Sequence, residues 1–147
     1  MLIEEAFEQV RKFNEIAGVF EKVDEESINL QLSLCFEELE ETITAFEKGD
    51  AVELLDGAVD MFVTGCGLLL KLDAMGFNVQ EALVRVNANN LSKFVPVGEY
   101  LNYSHDLTPT VNEKYQVTVL HDASGKIRKP NTFVPVDLTD LVVKIAP

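Results

Sequence analysis

Apolar residues recur at helical spacing from the start of the chain. Ile3, Phe7, Val10, Phe13 and Ala17 fall three or four positions apart. That spacing lines one face of an α-helix and predicts a first helix over residues 2–20. A polar stretch at residues 23–27 follows, with Ser27 as the expected N-cap of a second helix over residues 28–47 that Gly49 ends. Asp50 is placed to cap a third helix, from Ala51 to about Met75, ended by Gly76. A shorter fourth helix is predicted over residues 79–92. Beyond it the pattern changes period. Residues 115–120 alternate and run into Ala123-Ser124-Gly125, which predicts a strand entering a turn, with residues 126–128 returning.

The prolines sharpen this division. All five (Pro96, Pro109, Pro130, Pro135 and Pro147) lie at or beyond residue 96, so nothing interrupts the helical part. The pattern therefore predicts an all-α, four-helix-bundle-like body over residues 1–95. Residues 96–147 form a short β-containing C-terminal tail of the same domain.

Charge follows the same division. Residues 1–99 hold 20 acids and 7 bases, a net of −13, whereas residues 100–147 hold 5 of each. With 147 residues and 47% apolar content, the chain is long enough for one domain with a sizeable core. The net charge of −13 argues against nucleic-acid or anionic-membrane partners, whose phosphates attract Lys and Arg. It leaves room for a nucleotide held through bound cations. The longest apolar stretch, residues 61–70, is interrupted by Thr64, Gly65 and Gly67 and is far below the roughly 20 residues that cross a bilayer. The acidic start MLIEEAFEQV has neither the basic nor the apolar region of a secretory leader. Cys35 and Cys66 fit no CxxC pattern and are expected as reduced thiols in helical apolar patterns. These features predict a soluble, intracellular, acidic domain, expected in the cytoplasm.

Acids interrupt the apolar faces of the second and third helices. Leu30, Leu34, Glu38, Glu41 and Ala45 share one line along the second helix, with Glu37 beside it. Val52, Asp56, Asp60, Val63 and Gly67 make a similar line on the third, with Glu53 three before Asp56. A lone acidic run is ordinarily a solvated helix face. Two acid-interrupted stripes on consecutive helices instead predict carboxylates converging where water is scarce. Burying an unpaired carboxylate costs several kcal/mol, and neighbouring ones repel. A shared hard cation relieves both, and all-oxygen ligation favours Mg²⁺ or Mn²⁺ over zinc.

In their order along the chain these residues resemble a known superfamily. Glu37-Glu38-x-x-Glu41, then Glu53-x-x-Asp56 and Asp60, is similar to the EExxE…ExxD signature of the all-α nucleotide pyrophosphohydrolases. These include the MazG-type enzymes, dimeric dUTPases and phosphoribosyl-ATP pyrophosphohydrolase. The segment from Val86 to Lys93 (VNANNLSK) resembles their "VHxSNMSK" segment. Gly125-Lys126-Ile127-Arg128-Lys129-Pro130, then Pro135-Val136-Asp137-Leu138, resembles the "GKVxKP…PPDL" tail of short phage-type members. The likeness spans residues 30–140. Two positions depart from it: Gly57 stands where the commonest second motif has a Glu, and Asn87 where the family has a His.

The resemblance implies a MazG-type fold and hydrolysis of a nucleoside triphosphate between the α and β phosphates, giving the monophosphate and pyrophosphate. It implies Mg²⁺ or Mn²⁺ held by Glu37, Glu38, Glu41, Glu53, Asp56 and Asp60. Asp56 is preferred over Glu53 because it lies one helical turn from Asp60. Glu37 and Glu38 are the implied catalytic pair, with Glu37 as ligand or as general base on the attacking water. Asn87, Asn90, Lys93, Lys126, Arg128 and Lys129 are the implied substrate contacts. A purine such as dGTP or GTP is slightly favoured, in the cytoplasm of a bacterium or a phage-infected host, and the chain is expected to form a homo-dimer or homo-tetramer. Two other readings stand beside it: a dUTPase-like enzyme acting on one pyrimidine, and a metal-stabilised helical interaction module without catalysis.

Overall fold

A computed structural model describes residues 3–145; Met1, Leu2, Ala146 and Pro147, and with them the expected helix start at Leu2, lie outside the described residues. The chain divides into two compact units. One runs to Val79 and takes in the segment from Val142 onward; the other is Gln80–Leu141.

The first unit contains α1 (Ile3–Ile16), α2 (Glu25–Lys48) and α3 (Ala51–Ala74). α2 starts three residues earlier than its apolar pattern suggests. Asp24, not Ser27, is the N-cap: its carboxylate accepts from the Ser27 backbone N–H at 3.0 Å. Ser27 closes the capping box by accepting from the Asp24 N–H at 3.0 Å. At the other end Gly49 takes the left-handed conformation, φ 70°, that stops the helix. Asp50 at once caps α3, accepting from the backbone N–H groups of Val52 and Glu53. Only two residues separate the helices, so they return antiparallel against each other.

Small and polar residues set their spacing. A Cβ on Gly57 would collide with the Thr42 hydroxyl and lie 3.3 Å from the Thr42 Cα, and one on Gly67 would lie 2.7 Å from Gln31 Nε2. Gln31 Nε2 donates to the Thr64 carbonyl at 2.8 Å. Thr42 Oγ1 donates back to the Glu38 carbonyl at 2.6 Å. α1 lies on α3, where Val10, Cys66 and Leu70 form a core flanked by Phe7, Phe20 and Val63. Both cysteines are free thiols, Cys66 buried and Cys35 half-buried. Lys71 on α3 is also buried, its ammonium donating to the Ser27 carbonyl at 2.8 Å. Burial pushes its pKa down.

The second unit corrects the all-α expectation. α4 (Val79–Leu91) leads into a four-stranded antiparallel sheet, so this part of the chain is mixed α and β rather than a bundle with an irregular tail. β1 (Val95–Pro96) and β2 (Thr108–Asn112) flank β3 (Val117–His121), and β4 (Ile127–Arg128) pairs with the end of β3. Leu120 is the buried centre of β3. β3 and the return to β4 match the alternating pattern and its turn, whereas β1 and β2 carry no periodic signal. β1 is two residues long. β2 is exposed at every position and contains Pro109, which is tolerated because the strand is an edge. The turn between β3 and β4 is built on Asp122. Its carboxylate accepts from the Ser124 and Lys126 backbone N–H groups, the Ser124 hydroxyl and Arg128 Nε, and these donors hold its pKa far below the usual range. A short 3₁₀ turn, Thr139–Leu141, is tied to α4 by Arg85. The guanidinium donates to both Asp140 carboxylate oxygens, at 2.6 and 3.0 Å. No helix among the described residues is long and apolar enough to cross a membrane.

Candidate functional site

The helix pair brings five of the six predicted metal ligands into one electrostatic neighbourhood. Glu38 lies on the line of α2 that packs against α3, between half-buried Leu34 and buried Thr42. Asp60 is half-buried on the facing helix, while Glu37, Glu41 and Asp56 are exposed around them. Partial burial, then the negative charges of Asp60, Glu41, Glu37 and Asp56, raise the Glu38 pKa above that of an ordinary glutamate. Acids from two helices thus act on one carboxyl.

The enclosure differs from the pattern-based expectation. Leu30 and Val52, placed on the buried stripes by spacing, are exposed at 59% and 77%. The packed line of α2 runs instead through Gln31, Thr42 and Ala45, and that of α3 through Gly57 and Gly67. Short residues at the seam let the backbones approach and leave the longer acids at its rim, in contact with water. Gly57 also has its explanation. A carboxylate there would have to start from a Cβ that Thr42 excludes. The departure at this position is therefore a packing requirement of the helix pair.

Glu53 sits apart from the group around Glu38. It lines an open cleft of about 320 Å³ near the α2–α3 turn with Glu40, Glu41, Thr44, Ala45, Lys48 and Asp50. Glu41 belongs to both places. Among the described residues no three His, Cys, Asp or Glu side chains stand ready-made to hold a metal ion.

The predicted substrate contacts all lie in the second unit and fall into two groups. Lys93 donates to Asn90 Oδ1 at 3.0 Å. Its ammonium is 5.9 Å from the centre of the Phe133 ring, and that of Lys129 is 5.4 Å from the same ring. Two cations separated by 36 positions in sequence thus meet on one aromatic side chain. Arg128 is occupied by Asp122, at 2.8 Å, and the Lys126 backbone serves the same turn. Asn87 is exposed on α4. Its neighbour Asn89 has a structural task, donating to the Val134 carbonyl at 2.7 Å.

Sequence reasoning missed Phe133, Asp122 and the Thr42–Gly57 contact. Phe133 sits in an aperiodic stretch, so only its long-range partners identify it. Asp122 had a local signal, the Asp-x-Ser-Gly turn composition. Comparison of the chain with protein-family models, with curated proteins and with solved structures found no match to any of them.

Proposed function

We propose that Glu38 and the acids around it hold hard divalent cations, Mg²⁺ or Mn²⁺, and that the chain hydrolyses nucleoside triphosphates to the monophosphate and pyrophosphate. The observation that carries this reading is that half-buried Glu38 on α2 faces half-buried Asp60 on α3, and that the charges of Asp60, Glu41, Glu37 and Asp56 all act on the Glu38 carboxyl. A set made only of carboxylate oxygens fits hard cations by its chemistry. Glu38, Glu41, Asp56 and Asp60 are the ligands, with Glu53 an outlying acid reached through Glu41. When bound, such cations neutralise phosphate charge and acidify a bound water.

The chain's own groups have distinct tasks. Glu37, exposed beside Glu38, is the carboxylate that takes the proton from the attacking water. Within the second unit by itself, Lys93 and Lys129 on Phe133 make a cationic pair suited to phosphate oxygens, and Asn90 positions the Lys93 ammonium. Arg128 holds the β3–β4 turn through Asp122, which makes it a positioning residue.

The test is pyrophosphate release from the common NTPs and dNTPs with Mg²⁺, with Mn²⁺ and with EDTA, for the parent and for Glu38→Gln. Release from one or more nucleotides, lost in EDTA and reduced at least 100-fold by the substitution, is the expected result. A second reading is favoured by one observation, that Gly57 is packed against Thr42 and contributes no carboxylate to the acid group. In it the acids bind a cation that stabilises the hairpin without catalysis. Cation-dependent melting with no turnover of any nucleotide selects that reading.

A further inference from the structure

Residues 131–140 join two buried anchors, Pro130 and Leu141, yet no residue among them is buried. This stretch is fastened along one line of side chains at α4. Glu81, Arg85, Asn89 and Lys93 are spaced by four, which stacks them on one face. Their partners run the opposite way along the chain. Lys93 lies over the Phe133 ring. Asn89 donates to the Val134 carbonyl at 2.7 Å. Arg85 donates to the Asp137 carbonyl at 3.2 Å and to both carboxylate oxygens of Asp140. Glu81 steadies the same guanidinium, accepting from its Nε at 2.9 Å.

These fastenings are weak one by one. Half-buried Phe133, Val136 and Leu138 give the stretch a shallow apolar footing, and Val134 is 73% exposed. Exposed hydrogen bonds and ion pairs add little each in water. Segments with few buried apolar contacts open more readily than the body they lie on. Arg85 is the firmest of the fastenings, because its paired bonds to Asp140 are charge-assisted. Phe133 meanwhile gathers two cations from outside the stretch, Lys93 from just beyond α4 and Lys129 from beside the Pro130 anchor. Lifting the ring separates them.

We propose that residues 131–140 form a displaceable strap, tethered at Pro130 and Leu141 and locked to α4 by Arg85 and Asp140, whose seating assembles the Lys93–Phe133–Lys129 group. Seated, the strap holds two ammonium groups on one ring; lifted, it parts them. A phosphate-bearing ligand that engages both ammonium groups therefore favours the seated state. That coupling rests on the reading of the pair as phosphate contacts, whereas the strap itself rests on its fastenings alone.

Hydrogen exchange of the full chain in EDTA, followed by mass spectrometry, tests both parts. Peptides from the strap are expected to exchange about tenfold faster than those of α4 and β3. Arg85→Gln, and Asp140→Asn, which leaves the Glu81–Arg85 pair in place, speed the strap about tenfold further while α4 and β3 keep the parent's rates. Added salt speeds the parent's strap more than that of Asp140→Asn. Inorganic pyrophosphate slows the strap in the parent and not in Phe133→Leu. A strap that exchanges in step with α4 and β3 overturns the proposal. So does a rate that neither Arg85→Gln nor Asp140→Asn alters, or a gain that α4 and β3 share equally in both variants. Absence of a pyrophosphate response, or an equal response in Phe133→Leu, overturns the coupling to ligand. No step reads turnover, so a chain that shows this exchange pattern and hydrolyses no nucleotide sinks the hydrolase reading and leaves the strap standing.

Discussion

Gly57 of α3 lies against Thr42 of α2 so closely that a single added methyl would meet both the Thr42 hydroxyl and, at 3.3 Å, its Cα. In an exposed helix, Gly→Ala gains about 1 kcal/mol from backbone propensity. Here overpacking of the seam, typically about 1–3 kcal/mol, opposes that gain. Gly57→Ala is therefore expected to lower stability by about 1 kcal/mol in urea unfolding, and Thr42→Ala to recover part of the loss in the double variant. A Gly57→Ala protein more stable than its parent refutes this account of the contact.

Glu38 gives the hairpin a pH dependence whose sign follows from its neighbours. Its folded pKa is raised, so the folded state holds the proton more tightly than the unfolded chain. Stability then falls as pH rises through the glutamate range, and the cost persists to neutrality in the absence of cations. Thermal melts between pH 4 and 8 in EDTA are expected to show Glu38→Gln more stable than the parent at neutral pH. The difference shrinks as the medium becomes acidic.

The same cluster predicts a response to metal. If the acids bind Mg²⁺ or Mn²⁺, a ligand at a hundred times its dissociation constant stabilises the folded state by about 2.7 kcal/mol. Melting temperature should rise with either ion, return in EDTA, and move less in Glu38→Gln and in Asp60→Asn. Equal shifts in parent and variants place the cation elsewhere.

Lys71 is the mirror case. Its side chain is buried and its ammonium donates to the Ser27 carbonyl at the start of α2, and burial lowers its pKa. Below that lowered value the unfolded and folded chains are both charged, and the folded one bears the desolvation cost. Stability therefore rises with pH up to the ordinary lysine range. Lys71→Met is expected to raise neutral-pH stability by about 1 kcal/mol and to flatten the alkaline slope. Urea unfolding at pH 7 and pH 10 measures both.

The helical half of the chain was legible because its signals are local. Gly49 and Asp50 end one helix and begin the next as their conformations and side chains dictate. The start of α2 was misplaced because Ser27 and Asp24 are both good caps, and only the pair of bonds between them decides. That Glu37, Glu41, Asp56 and Asp60 act electrostatically on Glu38 follows from i+3 and i+4 spacing, which fixes a face, whereas Glu53 fell outside the group. The depth of the group was not legible, because depth depends on which residues the partner helix presents, here Gly57 and Gly67. The sheet was least legible. β1 is too short to show a period, and β2 pairs with β3 from 108 to 112 through a segment with Pro109 and no buried side chain.

The division into two units has an optical consequence. The chain has no tryptophan and three tyrosines, and Tyr100, Tyr103 and Tyr115 all belong to the Gln80–Leu141 unit. Ultraviolet emission therefore reports on the sheet-bearing unit alone. α1, α2 and α3, which hold most of the helical residues, are silent in it but dominate the far-ultraviolet dichroism. The two halves carry separate spectroscopic labels by composition. Whether they melt as one body or in succession can be read from the unmodified chain, by overlaying two curves from a single heating run.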